Sequence, residues 1–262
     1  MLTPPAVKKM KGRKKIVMLT AYEYSTAAML EKAGVDIILV GDSLGMVFAG
    51  YKDTLPVTVE DIIYHTKAVR RGAQNTMIIA DMPFMSYQAG NASAVKNAGK
   101  ILKETGCSAV KIEGGAEIKA KVRAVVNAGI PVMGHIGLQP QSTRKDGGYP
   151  VKGATAEEAD ALVKSALALE KAGVFAIVAE KVVFKTAAEI TKAVKVPVIG
   201  IGSGPFCDGQ VLVTQDILGC FTDFTPKFVK KYADTGNSAL AAVRRFRADV
   251  SKGKFPGRKN YF

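Results

Sequence analysis

Short runs of apolar residues recur along this chain, and five of them end on a polar or charged side chain. In chain order these ends are Asp42 with Ser43, Asp81, Lys111 with Glu113, His135 and Glu180. Continuous apolar runs rich in Val and Ile are typical of strands that are buried on both faces of a parallel sheet. Because the carboxyl ends of parallel strands open onto one face, we expect these side chains to converge there.

Helical patterns alternate with these runs, and most of them end at a glycine. Glycine just past a helix end accepts the left-handed conformation that closes the last turn. Thr58 and Thr155 each precede an acid by three residues, which is the signature of a helix start. The pattern predicts strands near 16–21, 36–41, 77–81, 109–113, 131–135, 175–180, 197–202 and 210–214. It predicts helices near 25–33, 58–71, 92–105, 116–128, 155–172 and 185–195, with further helices near 223–234 and 237–252.

Eight strands with intervening helices predict a (β/α)8 TIM barrel with extra terminal helices, formed by residues 1–262 as a single domain. Residues 203–209 are too few for a normal crossover helix, so either the barrel is distorted there or the last strand is misplaced. A doubly wound open sheet is the alternative. That fold usually has a glycine-rich turn after its first strand, where this chain has Thr20-Ala21-Tyr22-Glu23-Tyr24.

Composition is that of an ordinary globular protein, with 48% hydrophobic and 23% charged residues in 262. No apolar stretch reaches the length of a membrane span, and Met1–Lys15 lacks the apolar block of a secretory signal. Three cysteines without metal-type spacing suit a reducing compartment and a structural role. We therefore expect a cytoplasmic protein with no membrane partner.

The chain is strongly basic, with a formal charge of +14 and a run of cations over residues 8–15. A nucleic-acid-binding protein is one interpretation of this charge. Aromatic residues are not interleaved with the cations as a stacking surface requires, so we expect a solvated basic surface and no nucleic-acid partner. An anionic small molecule would still approach faster in this field.

Three of the polar strand ends, Asp42, Asp81 and Glu113, offer the oxygen ligands that Mg²⁺ prefers, although each could instead cap a helix. Glu180 is the candidate general base, the alternative being a salt bridge to a neighbouring lysine. Lys111 could hold a carboxylate of a substrate or neutralise the acids beside it. A metal with a base is what proton abstraction next to a carbonyl needs, and a 2-oxo acid is a substrate of that type.

His135 has glycines on both sides, which leaves room for a ligand, and we expect it to be functional. His65 lies inside a predicted helix and is expected to be structural.

Read with their flanks, these segments resemble ketopantoate hydroxymethyltransferases, and the resemblance runs in one order over about residues 5–256. The stretches that carry it include Met18-Leu19-Thr20-Ala21-Tyr22, Gly41-Asp42-Ser43-Leu44-Gly45-Met46, Ala80-Asp81-Met82-Pro83-Phe84, Val110-Lys111-Ile112-Glu113-Gly114-Gly115, Gly134-His135-Ile136-Gly137-Leu138 and Cys207-Asp208-Gly209-Gln210.

The resemblance implies a (β/α)8 barrel that binds Mg²⁺ and transfers a hydroxymethyl group from 5,10-methylenetetrahydrofolate to 2-oxoisovalerate. It implies that Asp42 and Asp81 hold the metal with help from Glu113, and that the oxo acid is bound by Asp42, Ser43, Asp81 and Lys111. Glu180 would remove the C3 proton and His135 would hydrogen-bond the substrate. Members of the family assemble as homodecamers, a pentamer of dimers, and the same assembly is expected here.

The chain departs from the family pattern at Lys181-Val182-Val183, where other members commonly have Cys-Val-Pro. The loop Leu138–Asp146 is also unusually basic, so no folate contact is assigned in it. A lyase of the isocitrate lyase and phosphoenolpyruvate mutase type is the alternative enzyme. Those enzymes usually place a catalytic cysteine in a Lys-Lys-Cys-Gly-like loop, which this sequence lacks.

Overall fold

The structure of the chain, a computed structural model, describes residues 1–221 and 225–262. Within it the chain forms two compact units, Met1–Leu212 and Val213–Phe262. That residues 1–262 form a single domain therefore stays a prediction.

The first unit contains a closed barrel of eight parallel strands, each paired with its neighbours in chain order. The strands are β1 Ile16–Thr20, β2 Ile37–Val40, β3 Met77–Asp81, β4 Ala109–Glu113, β5 Val132–Gly137, β6 Ala176–Glu180, β7 Val198–Ile201 and β8 Gly209–Leu212. Pairing of β1 with β8 closes the ring, for example at Met18 and Val211. The predicted TIM barrel is confirmed, and the open doubly wound sheet is excluded.

The helices around the strands begin and end close to the predicted positions. They are α1 Pro4–Lys9, α2 Tyr24–Lys32, α3 Leu44–Val47, α4 Val59–Gly72, α5 Asn91–Thr105, α6 Lys119–Asn127, α7 Thr143–Asp146, α8 Ala156–Ala172 and α9 Phe184–Ala193. The Thr58 hydroxyl accepts from the backbone N–H of Asp61, and the Thr155 hydroxyl from that of Glu158, as the sequence predicts. The short helices α1, α3 and α7 were not predicted.

The connection from β7 to β8 is the irregular part of the barrel. Residues 202–208 contain no helix, and the two strands pair only at Ile199 with Gly209 and Gly200 with Gln210. Asp208 ties this corner together, since its carboxylate accepts from the backbone N–H of Val198 at 2.9 Å and from Lys11 Nζ at 2.7 Å. The barrel is therefore distorted where the sequence indicated, and its last strand begins at 209 rather than 210.

An apolar cluster fills the barrel interior with side chains from all eight strands, among them Met18, Leu39 and Met133. Val7 of α1 is fully buried in the same cluster, so α1 covers the end of the barrel where the strands begin. Part of the basic run therefore has a structural role, since Lys11 and Lys14 form ion pairs with Asp208 and Asp36.

The second unit contains α10 Thr214–Ile217 and α11 Thr235–Ser251. The predicted helix near 223–234 is wrong over residues 225–234, and residues 223 and 224 lie outside the described part. Pro226 cannot donate a helical hydrogen bond, and the backbone turns there, with the N–H of Val229 bonded to the Pro226 carbonyl. The N–H of Tyr232 bonds to Ile217 instead of continuing a helix.

In the described residues, no helix is both long and apolar enough to cross a membrane.

Candidate active site

The five polar strand ends lie together at the carboxyl end of the barrel, as the sequence predicts. The strand register places Asp81 beside Lys111, Glu113 beside His135, and Gly137 beside Glu180. Asp42 follows β2 directly, and its backbone N–H donates to Asp81 Oδ2 at 3.0 Å. Five consecutive strands, β2 to β6, therefore supply one group of charged side chains.

Lys111 lies at the centre of this group and is 4% exposed. Its Nζ is 2.9 Å from Asp81 Oδ1 and 3.8 Å from Glu113 Oε1. The carboxylates of Asp81, Glu113 and Asp42 overcome the effect of burial and raise the pKa of Lys111. The ammonium is therefore a fixed positive charge at neutral pH.

His135 links this group to the candidate base. Its Nε2 is 3.2 Å from Glu180 Oε2, and its Nδ1 is 3.4 Å from Glu113 Oε1 and 3.1 Å from Lys111 Nζ. Burial and the Lys111 ammonium lower the pKa of His135, but Glu113 and Glu180 outweigh them and raise it to about 9. An imidazolium here faces a carboxylate on either side, although neither contact is a well-aligned hydrogen bond.

The carboxylates respond differently to their burial. Burial raises the pKa of Asp42 well above its usual range, and the charges of Glu113 and Asp81 raise it further. Burial also raises the pKa of Asp81, against the attraction of Lys111. For Glu113 burial acts in the same direction, but His135 and Lys111 hold its pKa below the ordinary value.

The arrangement has more negative than positive charge. With all four carboxylates ionised, Asp42, Asp81, Glu113 and Glu180 against the two cations Lys111 and His135 give a formal charge of −2. Asp81 Oδ1 and Glu113 Oε1 are buried and accept no well-aligned hydrogen bond in the described structure. A buried group of carboxylate oxygens with this charge fits a hard divalent cation.

Ligand geometry is only partly formed. Within residues 1–221 and 225–262, no group of three or more His, Cys, Asp or Glu side chains is arranged to hold a metal ion. Mg²⁺ commonly takes one or two protein carboxylates and keeps water or substrate oxygens in its other positions. Asp42 and Asp81, whose strand ends are adjacent, are candidates for such a pair of carboxylates.

Glu180 is the most exposed carboxylate of the group, with a side chain 19% accessible to solvent. In the described part of the chain it forms no ion pair with Lys181 or Lys185, the partners considered from the sequence. The Lys181 ammonium instead donates to the carbonyl of Tyr149. Glu180 thus faces His135 and remains open to a ligand.

The backbone around Glu180 requires a glycine on the neighbouring strand. Gly137 has φ +93°, and a Cβ there would lie 2.3 Å from the Glu180 carbonyl oxygen. The next residue, Leu138, donates its N–H to the same carbonyl at 2.8 Å. The sequence indicated only that this glycine leaves space beside His135, whereas in the structure it also fixes the path of β6 at Glu180.

Ser43 lies at the start of α3 and its Oγ is 2.8 Å from the hydroxyl of the buried Tyr22. His65 supports this corner, because its Nδ1 lies 2.6 Å from the Tyr22 carbonyl oxygen while Phe48 and Tyr64 pack edge-on against its ring. These contacts agree with the structural role expected of His65.

Gln141 and Tyr87 were missed by the sequence analysis. Gln141 Nε2 lies 2.9 Å from Asp42 Oδ2, and the Tyr87 hydroxyl lies 2.9 Å from Gln141 Oε1. The only signal in the sequence was that Gln141 belongs to the loop after β5, at the same end of the barrel as the charged group.

Comparison with solved structures shows the fold alone. A 2,3-dimethylmalate lyase of the phosphoenolpyruvate mutase and isocitrate lyase superfamily superposes with a TM-score of 0.62 over 98% of this chain and 90% of that one, at 16% identity. A phosphoenolpyruvate phosphomutase from Streptomyces platensis subsp. rosaceus gives 0.62 over 97% and 89%, at 14% identity.

Sequence relatives are much closer. A 3-methyl-2-oxobutanoate hydroxymethyltransferase from Acetivibrio thermocellus is 54% identical, covering 97% of this chain and 89% of that one. An enzyme of the same name from Thermotoga maritima is also 54% identical, covering 98% and 94%. The family model for ketopantoate hydroxymethyltransferase matches residues 2–258. The chain therefore belongs to the ketopantoate hydroxymethyltransferase family.

Proposed function

We propose that this protein removes the C3 proton of 2-oxoisovalerate and transfers a hydroxymethyl group to that carbon from 5,10-methylenetetrahydrofolate, giving 2-dehydropantoate. The C3–H bond breaks and C3 bonds to the folate methylene carbon, while both bonds from that carbon to the folate nitrogens break. Water supplies the hydroxyl group, and tetrahydrofolate leaves with one proton from C3 and one from the water. The relatives named 3-methyl-2-oxobutanoate hydroxymethyltransferase support the choice of substrate.

The observation that carries the proposal is the pairing of Glu180 with His135 beside the buried carboxylates. Glu180 Oε2 lies 3.2 Å from His135 Nε2 and is the one carboxylate of the described group with clear solvent access. We assign Glu180 as the base that accepts the C3 proton. His135 Nε2 faces Glu180 Oε2 without a well-aligned hydrogen bond in this structure, and it would donate a hydrogen bond to the substrate when the acid binds.

The remaining residues of the site bind and orient the acid. Lys111 provides a permanent positive charge for the substrate carboxylate. Asp42, Ser43 and Asp81 complete the binding surface for the rest of the oxo acid. Burial keeps water away from these contacts, which strengthens each of them.

Asp42 and Asp81, with Glu113, are the residues that would hold Mg²⁺. When bound, the ion would place positive charge near the oxygen that becomes negative as the proton leaves. Burial and mutual repulsion oppose the charged forms of Asp42 and Asp81, so a divalent cation would stabilise the ionised form of both.

The protein should act as a homodecamer, a pentamer of dimers, in the cytoplasm, as the family resemblance implies. Sedimentation velocity tests the assembly. Ten chains of 27.8 kDa give about 278 kDa, whereas a species near 28 or 56 kDa would contradict it.

Turnover tests the proposed reaction directly. The purified protein is incubated with 2-oxoisovalerate, 5,10-methylenetetrahydrofolate labelled with ¹³C in the methylene group, and Mg²⁺. We expect labelled 2-dehydropantoate by mass spectrometry, and none when chelator replaces Mg²⁺. Absence of product from folded protein with all components present would contradict the proposal.

A further inference from the structure

Gln141 is a buried side-chain amide that the proposed reaction does not use. It lies in a short 3₁₀ turn, Pro140–Ser142, after β5 and is 5% exposed. A primary amide has two N–H donors and one carbonyl acceptor with two lone pairs. Burial of such a group is costly unless these positions are hydrogen-bonded.

All four positions of the Gln141 amide are occupied. Its Nε2 donates to Asp42 Oδ2 and to the carbonyl oxygen of Met82, each at 2.9 Å. Its Oε1 accepts from Gln88 Nε2 at 3.2 Å and lies 2.9 Å from the Tyr87 hydroxyl, whose single hydrogen is shared with the Glu113 carbonyl oxygen. Since the Met82 carbonyl oxygen can only accept and Gln88 Nε2 can only donate, the amide has one satisfactory orientation.

The backbone of the same residue reaches a second carboxylate. The N–H of Gln141 donates to Glu113 Oε2 at 3.2 Å. The Tyr87 hydroxyl, which bonds the Gln141 amide, also lies 2.9 Å from the Glu113 carbonyl oxygen. One residue on a loop therefore connects Asp42, after β2, to Glu113, at the end of β4.

We propose that Gln141 is a positioning residue that holds Asp42 and Glu113 in the orientation in which they bind a divalent metal. The inference rests on the proposed function, in which these carboxylates hold Mg²⁺. The amide occupies Asp42 Oδ2 and leaves Oδ1 for other partners. The neutral amide also restrains Asp42 without adding charge to a group that is already negative.

Partners that orient metal ligands typically change metal affinity by about 10- to 100-fold when they are removed. The replacement Gln141→Met keeps the length of the side chain and removes its four hydrogen bonds. We expect it to weaken metal binding by about tenfold or more, because Asp42 can then rotate and its Oδ2 loses its donor.

Mn²⁺ provides the probe, since its unbound form is counted directly by electron paramagnetic resonance without any turnover. The full chain is titrated as wild type, as Gln141→Met and as Gln139→Met. Gln139 lies on the same loop, and among the described residues its side chain makes one long contact, of 3.4 Å with Ser142 Oγ, so it is the matched control. Weaker Mn²⁺ binding in Gln141→Met alone supports the proposal, and a dissociation constant within about twofold of wild type overturns it.

Tyr87→Phe tests the positioning role of Gln141 if Gln141→Met does not fold. This change keeps the buried ring and removes the donor to Gln141 Oε1, and we expect about a threefold loss of Mn²⁺ affinity with unchanged circular dichroism. Unchanged affinity in this folded variant also overturns the proposal.

The wild-type titration separates the two claims. A wild-type chain that binds no Mn²⁺ contradicts the metal site of the proposed function. A wild-type chain that binds Mn²⁺ as tightly as both folded variants contradicts only the positioning role of Gln141.

Discussion

Replacement of Lys111 with methionine would remove the ammonium that faces three buried carboxylates. Lys111 and Asp81 have side chains only 4% and 3% exposed, and their charged atoms are 2.9 Å apart. Methionine fills nearly the same volume, so the change removes charge while it largely preserves packing. The variant therefore isolates the electrostatic role of Lys111.

The size of the effect follows from the geometry. One ion pair at 2.9 Å contributes about 6 kcal/mol at an effective dielectric constant near 20. The desolvation cost of the lysine is returned when it is removed, and loss of one partner of a buried pair commonly costs about 3–5 kcal/mol. We expect the free energy of unfolding to fall by that amount at pH 8 without divalent metal.

The loss should depend on pH with a definite sign. The folded-state pKa values of Asp42 and Asp81 are raised, so their contribution to stability is present at low pH and lost as the pH rises through those values. Removal of Lys111 raises both pKa values further. The difference between Lys111→Met and wild type should therefore be larger at pH 8 than at pH 5.

Urea unfolding followed by circular dichroism measures these differences. Lys67→Met is the matched control, because Lys67 forms an ion pair of the same 2.9 Å length with Glu104 but its side chain is 43% exposed. Exposed pairs contribute about 0–1 kcal/mol, so this control should stay close to wild type. If Lys111→Met also lies within about 1 kcal/mol of wild type at pH 8, Lys111 does not stabilise the buried carboxylates as argued.

Three further predictions concern the same site. Gly137→Ala should remove activity and destabilise the fold by several kcal/mol more than Gly147→Ala. Both glycines have positive φ, but only at Gly137 would the new Cβ meet a carbonyl oxygen, that of Glu180, at 2.3 Å. Equal unfolding midpoints for the two variants would refute this. In metal-free protein, the His135 imidazole should titrate near pH 9 by NMR. Its protonated form then stabilises the fold up to neutral pH, and this stability is lost as the pH rises through 9. Titration near 6.5 would show that Glu113 and Glu180 do not hold the proton. Asp81→Asn should weaken Mn²⁺ binding by about tenfold or more in the paramagnetic resonance titration, and an unchanged affinity would remove Asp81 from the metal site.

Sequence patterns located most of the barrel because its strands carry a strong local signal. Continuous apolar runs such as Ile37–Val40 and Met77–Ala80 are buried on both faces, and both became strands within a residue of the predicted bounds. The polar residues that end such runs necessarily point toward one end of a parallel barrel. This is why Asp42, Asp81 and Glu180 could be selected before any contact was known.

Residues outside the strands and main helices have no comparable pattern of apolar positions in the sequence. Gln141 lies between a proline and a serine in a polar loop, and only closure of the barrel brings it to Asp42. A helical pattern predicted a helix near 223–234, but the described backbone after Pro226 bonds elsewhere. Helix α1 was missed because its six residues are too short for a period, although Thr3 and the prolines at its start form a recognisable helix beginning.

Proton NMR of 2-oxoisovalerate in D₂O tests the central claim, that Glu180 removes the C3 proton, most directly. Wild type and Glu180→Gln are compared with Mg²⁺, with chelator, and with or without tetrahydrofolate, while the methyl doublet collapses as C3 exchanges. We predict Mg²⁺-dependent exchange by the wild type and a rate at least about 100-fold lower for Glu180→Gln, with Mn²⁺ affinity retained. Exchange by Glu180→Gln at the wild-type rate, or no exchange by folded wild type under any of these conditions, would contradict the account.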